Sequence, residues 1–125
     1  MKTVTRIFLT LVLGLVAGTM FQPVESKAET MLWRVKSLYP YRVQLEFYSE
    51  NRKFEWPGGG QAYAENDSRT HRFSLTCNAG EKICLGAWVT GNAEKYWGVG
   101  LHNKYGCSNC CFTCGDSEIP RQVLE

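Results

Sequence analysis

Histidine, proline and helical periodicity are scarce in this chain. Two histidines in 125 residues leave little material for a histidine-rich metal centre, which places several imidazoles at a recognisable spacing. Beyond the N-terminal region no stretch keeps an apolar repeat of 3.6 residues over three turns, which argues against a helical bundle or coiled coil. The longest apolar run, read generously from Ile7 to Phe21, is about 15 residues, short of the roughly 20 that a membrane-spanning helix needs. No cysteine precedes Cys77, so the N-terminal region has no thiol to carry a lipid. Internal repeats and low-complexity segments are absent as well.

That N-terminal region has a layout of its own. Lys2 and Arg6 precede the apolar run, and Ser26-Lys27-Ala28 puts small residues at −3 and −1 of a cut after Ala28. This is the pattern of a secretory signal peptide covering residues 1–28. Its removal takes Lys2, Arg6, Lys27 and Glu25 out of 14 basic and 12 acidic residues, so eleven of each sign remain. A neutral mature domain offers no global field for phosphates or anionic lipid. The expectation is a secreted or periplasmic domain over 29–125, with no nucleic-acid partner and no membrane insertion after cleavage. A chain of this size buries roughly 60 to 70% of its unfolded surface. Exported domains so small commonly add disulfides.

What the mature chain does have is period-two patterning. Tyr41, Val43, Leu45 and Phe47 alternate with Arg42, Gln44, Glu46 and Tyr48, which predicts a half-buried strand. Thr70 to Cys77 repeats the pattern with His71, Phe73, Leu75 and Cys77 on the inner face. Trp33 and Val35 suggest a short first strand ending before Tyr39-Pro40. Ile83 to Val89 is an unbroken apolar run that reads as a central strand covered on both faces. Tyr96 to Leu101, with Gly98 and Gly100 permitting a bulge or close backbone approach, and Gln122 to Leu124 complete the set. Turn-forming clusters separate them. The fold class is therefore all-β, a small antiparallel sandwich or barrel stabilised by disulfides.

The six cysteines divide into Cys77 and Cys84, and a terminal C-x2-C-C-x2-C cluster of Cys107, Cys110, Cys111 and Cys114. In an oxidising compartment all six are expected in disulfides. A hairpin through Asn78-Ala79-Gly80-Glu81 would set Cys77 opposite Cys84. Closing that short loop stabilises by about 2.5 kcal/mol, against about 3.7 for a bridge from Cys77 into the cluster. Entropy favours the long link and register the short one; the reading here takes the short one. Alternatively the terminal four, at i, i+3, i+4 and i+7, would share one side of a helix and bind zinc. A third reading is a small thiol-disulfide oxidoreductase with Cys107 as the attacking thiol, though no helix start is in place to lower its pKa.

Other chemistry is thinner. His71, Asp67 and Ser74 make a triad on paper only, and His102 is expected at the surface. Gly58-Gly59-Gly60 lacks the Lys-Ser/Thr ending of a phosphate loop. Trp56 and Tyr63 flank it and are the candidate ligand-binding aromatics, a stacking platform for a sugar or a partner side chain, with packing at the core edge as the plainer alternative. Asn66-Asp67-Ser68 is a glycosylation sequon.

Gly80-Glu81-Lys82-Ile83-Cys84-Leu85-Gly86-Ala87-Trp88, Tyr96-Trp97-Gly98-Val99-Gly100 and the closing cysteines together resemble small uncharacterised exported bacterial proteins with a GE-x-IC-x-GAW segment and a terminal cysteine cluster. The resemblance implies export and a compact cysteine-bearing domain, with no catalytic residues to carry over. The functional expectation is a non-catalytic binding or interaction module without a cofactor, its partner an unknown protein or glycan of the cell envelope or exterior.

Overall fold

The computed structural model describes residues 27–125, together with Gly14 and Gly18. All but these two positions, Lys27 and Ala28 of the proposed signal peptide lie outside the described residues. The described residues form nine strands: β1 (Ala28–Ser37), β2 (Val43–Ser49), β3 (Glu55–Trp56), β4 (Tyr63–Glu65), β5 (Thr70–Asn78), β6 (Lys82–Val89), β7 (Asn92–Gly98), β8 (Cys111–Thr113) and β9 (Gln122–Leu124). A 3-10 turn spans Leu101–Asn103.

They make two sheets. One has the order β5-β1-β9, and the other runs β3-β2-β6-β7, with β4 also pairing with β2 and β8 with β6. All pairs are antiparallel except β1 with β9, which run parallel. The inner faces meet in one core. Trp33 and Val35 of β1 and Leu75 and Cys77 of β5 pack with Val43, Leu45 and Phe47 of β2 and Ile83, Leu85 and Ala87 of β6. Trp33 is enclosed, its ring 4.9 Å from Phe47 and 5.3 Å from Phe112. Removing the side chain of a residue such as Leu45 from this core would cost about 2 to 5 kcal/mol.

Several elements depart from the sequence expectation for identifiable reasons. β1 begins at Ala28 because its whole length pairs with β5, a tertiary gain that local pattern does not carry. Tyr41 lies outside β2 and is 68% exposed. β2 is buried on both sides rather than one: Glu46 and Tyr48 are covered as well as Val43, Leu45 and Phe47. β7 runs from Asn92 and stops at Gly98 instead of continuing to Leu101, because Gly98 turns to φ +61. A Cβ there would run into the Leu85 carbonyl. The three short strands β3, β4 and β8 have only two or three residues each, too few for an alternation to register.

Two buried carboxyls carry opposite energetic signs. Glu81, in the turn between β5 and β6, receives hydrogen bonds from the Ser49 hydroxyl (2.6 Å), the Asn78 N–H (3.1 Å) and the Arg52 guanidinium. Burial pushes its pKa up, but these bonds together outweigh burial and hold it at about 2. Glu65 on β4 pairs with Val43 and is 1% exposed. Neither of its carboxyl oxygens has a hydrogen-bond partner. Burial raises it to about 7, against a lowering pull from His71.

These shifts fix a pH profile. Glu81 contributes fully above its unfolded value near 4.5 and loses that contribution as pH falls toward 2. Glu65 is protonated in both states below pH 4.5, and its penalty grows as pH rises from there through 7. Each shift amounts to roughly 3 kcal/mol. Urea midpoints measured from pH 2 to 8 are expected to peak near pH 4 to 5. Glu65→Gln should flatten most of the neutral-side decline and Glu81→Gln the acid-side one; an unchanged neutral slope in Glu65→Gln would refute the assignment.

Candidate functional site

Strand pairing gathers the remaining chemistry on the outer face of the six-stranded sheet. Tyr48 pairs with Cys84 and Glu46 with Gly86 across β2 and β6. Tyr48 also pairs with Glu55, Cys84 with Cys111, and Gly86 with Gly98. Paired residues share a face, so all of these look away from the main core. The segment after β7 folds back over them, with the Val99 N–H donating to the Leu85 carbonyl (3.0 Å) and the Leu85 N–H to the Cys110 carbonyl (2.9 Å). Gly86 has to be glycine here, because a Cβ would overlap the Gly100 carbonyl and the Tyr48 ring. Tyr105 stacks on Tyr96 with centroids 3.8 Å apart. The result is a second small core of Tyr48, Cys84, Val99 and Cys110, with Cys107 and Cys111 against it.

At one end of this cover the Tyr48 hydroxyl donates to Glu46 Oε2 (2.6 Å) and accepts from the His102 N–H (2.9 Å). His102 and its neighbour Asn103 both take positive φ, 59° and 53°, a conformation costly for side chains other than glycine. Burial raises the Glu46 carboxyl, with Tyr48 pulling it down and Glu55 pushing it up. Burial first, then the bond to Glu46, lifts the Tyr48 hydroxyl far above its ordinary value, so it keeps its proton. Glu55, Lys53, Arg52, Phe54 and His102 complete an open cleft beside it.

At the other end lie the sulfurs. The disulfides are Cys77–Cys114, Cys84–Cys111 and Cys107–Cys110, and no cysteine is free. Cys107 Sγ stands 3.6 Å and Cys110 Sγ 3.8 Å from Cys111 Sγ. Cys110 is buried, whereas Cys107 is partly open to a cleft lined by Glu50, Lys82, Asn103 and Lys104.

The Cys77–Cys84 bridge expected from a hairpin does not form. β5 and β6 belong to different sheets, so the turn between them crosses the sandwich instead of closing a ladder. Cys77 points into the main core and Cys84 away from it, into the second one. Of the terminal quartet proposed for zinc, Cys114 is bonded to Cys77, and the stretch is turn and short strand rather than helix.

The other sequence-derived candidates separate in the same way. Trp56 is buried, its indole N–H donating to the Thr76 carbonyl (3.1 Å). Tyr63 packs on Phe73 at 4.8 Å and on Phe47 at 6.0 Å. Trp56 belongs to the main core and the partly buried Tyr63 packs against it at the core edge. His71 and Asp67 do meet, with Nε2 and Oδ1 2.7 Å apart, but Ser74 lies on the opposite face of β5 from His71, so no triad assembles. His102 is exposed, as expected.

One aromatic group had no sequence signal beyond its composition. Tyr39 contacts Trp97 (5.3 Å) and Tyr41 (5.8 Å) edge to face. The Lys95 ammonium lies 5.2 Å from the Trp97 ring and 5.7 Å from that of Tyr39. The Trp97 indole N–H donates to the Glu125 carbonyl (2.8 Å). Residues distant in sequence, from the β1–β2 turn, β7 and the C-terminus, thus form one aromatic end of the sandwich. Comparisons with models of known protein families, with curated proteins and with solved structures find no match for this chain.

The three bridges predict a graded series. In the chain-entropy treatment, loops closed by sequence separations of 37, 27 and 3 stabilise by about 3.9, 3.6 and 1.9 kcal/mol. Paired serine variants should therefore lose most stability for Cys77→Ser/Cys114→Ser and least for Cys107→Ser/Cys110→Ser in denaturant unfolding. The reverse order would contradict the connectivity.

Proposed function

We propose that the protein is an exported, disulfide-stabilised binding module that engages a glycan or protein of the cell envelope or exterior through its aromatic end. The observation that carries this reading is Tyr41, left 68% exposed in the turn before β2. Around it, Tyr39 and Trp97 are held by ring contacts and Lys95 supplies a cation. Rings fixed before binding lose little entropy on contact. Tyrosine and tryptophan faces suit both the C–H face of a sugar and the apolar side chains of a protein.

Three cross-links in so small a domain support export, since such bridges persist in oxidising compartments. No described helix is long and apolar enough to cross a membrane. A frame tied covalently at both ends of its C-terminal segment keeps its loops in register for recognition.

Retention of the folded protein on insoluble cell-wall glycan and on immobilised envelope extract tests the proposal. Tyr41→Ala and Lys95→Ala should each weaken retention by about 3-fold to 10-fold, with unchanged thermal unfolding for the exposed Tyr41. Trp56→Ala/Tyr63→Ala should lower stability instead. Retention equal to wild type in a Tyr41→Ala/Lys95→Ala variant would remove the aromatic end as the recognition surface.

A further inference from the structure

The outer-face sulfurs form a set that the linear cysteine motif does not define. Cys84 comes from β6, Cys111 from β8, and Cys107 and Cys110 from the segment folded over them. The Sγ atoms of Cys84, Cys110 and Cys111 all lie within 4.8 Å of one another. Cys107 joins through its bond to Cys110 and its 3.6 Å approach to Cys111. The Cys107–Cys110 bridge lies against the Cys84–Cys111 bridge.

We propose that Cys84, Cys107, Cys110 and Cys111, when reduced, form a four-thiolate site for a soft divalent metal ion such as zinc, while Cys77 and Cys114 take no part. Zinc–sulfur bonds of about 2.3 Å in a tetrahedron place neighbouring sulfurs about 3.8 Å apart. The Cys107–Cys111 and Cys110–Cys111 separations, 3.6 and 3.8 Å, already match that edge. The two bonded pairs would open to the same distance, and Cys107, which stands outside the group of three mutually close sulfurs, would move toward Cys84 to complete the tetrahedron.

Backbone contacts also tie three of the four positions together. The β6–β8 ladder sets Cys84 opposite Cys111, and the bond from the Leu85 N–H to the Cys110 carbonyl ties the folded-over segment to β6. Four thiolates around a divalent ion carry a net charge of −2. Lys82 and Lys104 line the cleft above the sulfurs and offset that charge, while Glu50, in the same cleft, is engaged by the Asn103 amide at 3.0 Å.

The chemistry balances with an external dithiol as reductant. Each protein disulfide takes two electrons and two protons from one dithiol, which leaves as its own cyclic disulfide. Four protein thiols result, and the metal displaces their four protons. Oxidation runs the sequence backwards and ejects the ion, so the same sulfurs alternate between two staples and one metal centre.

The purified chain, with all six cysteines reduced by a phosphine under anaerobic conditions, is titrated with Zn2+ and, for its spectrum, with Co2+. The expected result is one ion per chain and a thiolate-to-cobalt charge-transfer band. Alkylation compared with and without Zn2+ should show protection gained at Cys84, Cys107, Cys110 and Cys111 and none gained at Cys77 or Cys114. This readout needs no variant to fold. Cys84→Ser should weaken zinc affinity by at least about 100-fold, and Cys114→Ser by less than about 3-fold. Protection of Cys114 in place of Cys84, any other protected set, or no charge-transfer band would overturn the proposal. The aromatic end takes no part in this measurement, so its reading and this one fail separately.

Discussion

Everything in this fold depends on covering β6 from both sides. From Ile83 to Val89 no residue of the strand is left to solvent. Its inner face is met by the three-stranded sheet in the usual manner of a sandwich. Its outer face has no second sheet. It is covered by residues 99–115, a segment whose own regular structure amounts to one 3-10 turn and the three residues of β8. Such a segment gains little from its own backbone hydrogen bonds and loses much conformational entropy on being fixed. Covalent bonds from Cys84 and Cys77 to its far end lower that loss by restricting the unfolded chain.

A polar frame complements the sulfur one. Glu81 joins the β5–β6 turn to Ser49 and Arg52 at the end of β2, and its own carbonyl accepts the Cys114 N–H at 2.8 Å. The carboxyl and the neighbouring bridge therefore fix the same junction, one by charge-assisted hydrogen bonds and the other by a covalent link. Tyr48 does the equivalent for the middle of the cover. Its ring replaces the missing side chain at Gly86, and its hydroxyl takes the N–H of His102 where the backbone is forced into the left-handed region. On this face the Tyr48 hydroxyl, one Glu46 oxygen and the His102 N–H are paired with one another, in contrast to Glu65, whose oxygens have no partner.

The all-β architecture was legible because β2, β5 and β6 are long enough for alternation or an unbroken apolar run to be seen. Burial of β6 on both faces, the inward register of His71, Phe73, Leu75 and Cys77, and the close backbone approach at Gly98 followed from residue types alone. Sheet membership did not. Nothing between Cys77 and Cys84 distinguishes a hairpin from a crossover between sheets, and on that distinction the pairing turned. The parallel addition of β9 to β1 is likewise a long-range choice. Of the candidate sites, the cysteines were visible as a group, but Cys84 and Cys114 exchange places between the motif and the assembled cluster. Trp56 and Tyr63, flanking the glycine turn, left a stacking platform and core-edge packing both open, with the second the plainer; in the structure Trp56 is part of the core and Tyr63 packs against it. Tyr39, Tyr41, Lys95 and Trp97 come together only through the packing of β7 against the β1–β2 turn, which no local pattern encodes.

The claim that the outer face is closed by the terminal segment stands or falls on disulfide connectivity. Mass-spectrometric mapping of the oxidised protein under non-reducing conditions, with fragmentation between Cys110 and Cys111, measures it directly. Linked peptides joining Cys77 to Cys114, Cys84 to Cys111 and Cys107 to Cys110 are the result expected. A peptide in which Cys77 is bound to Cys84 would place β5 and β6 in one hairpin and contradict the architecture described.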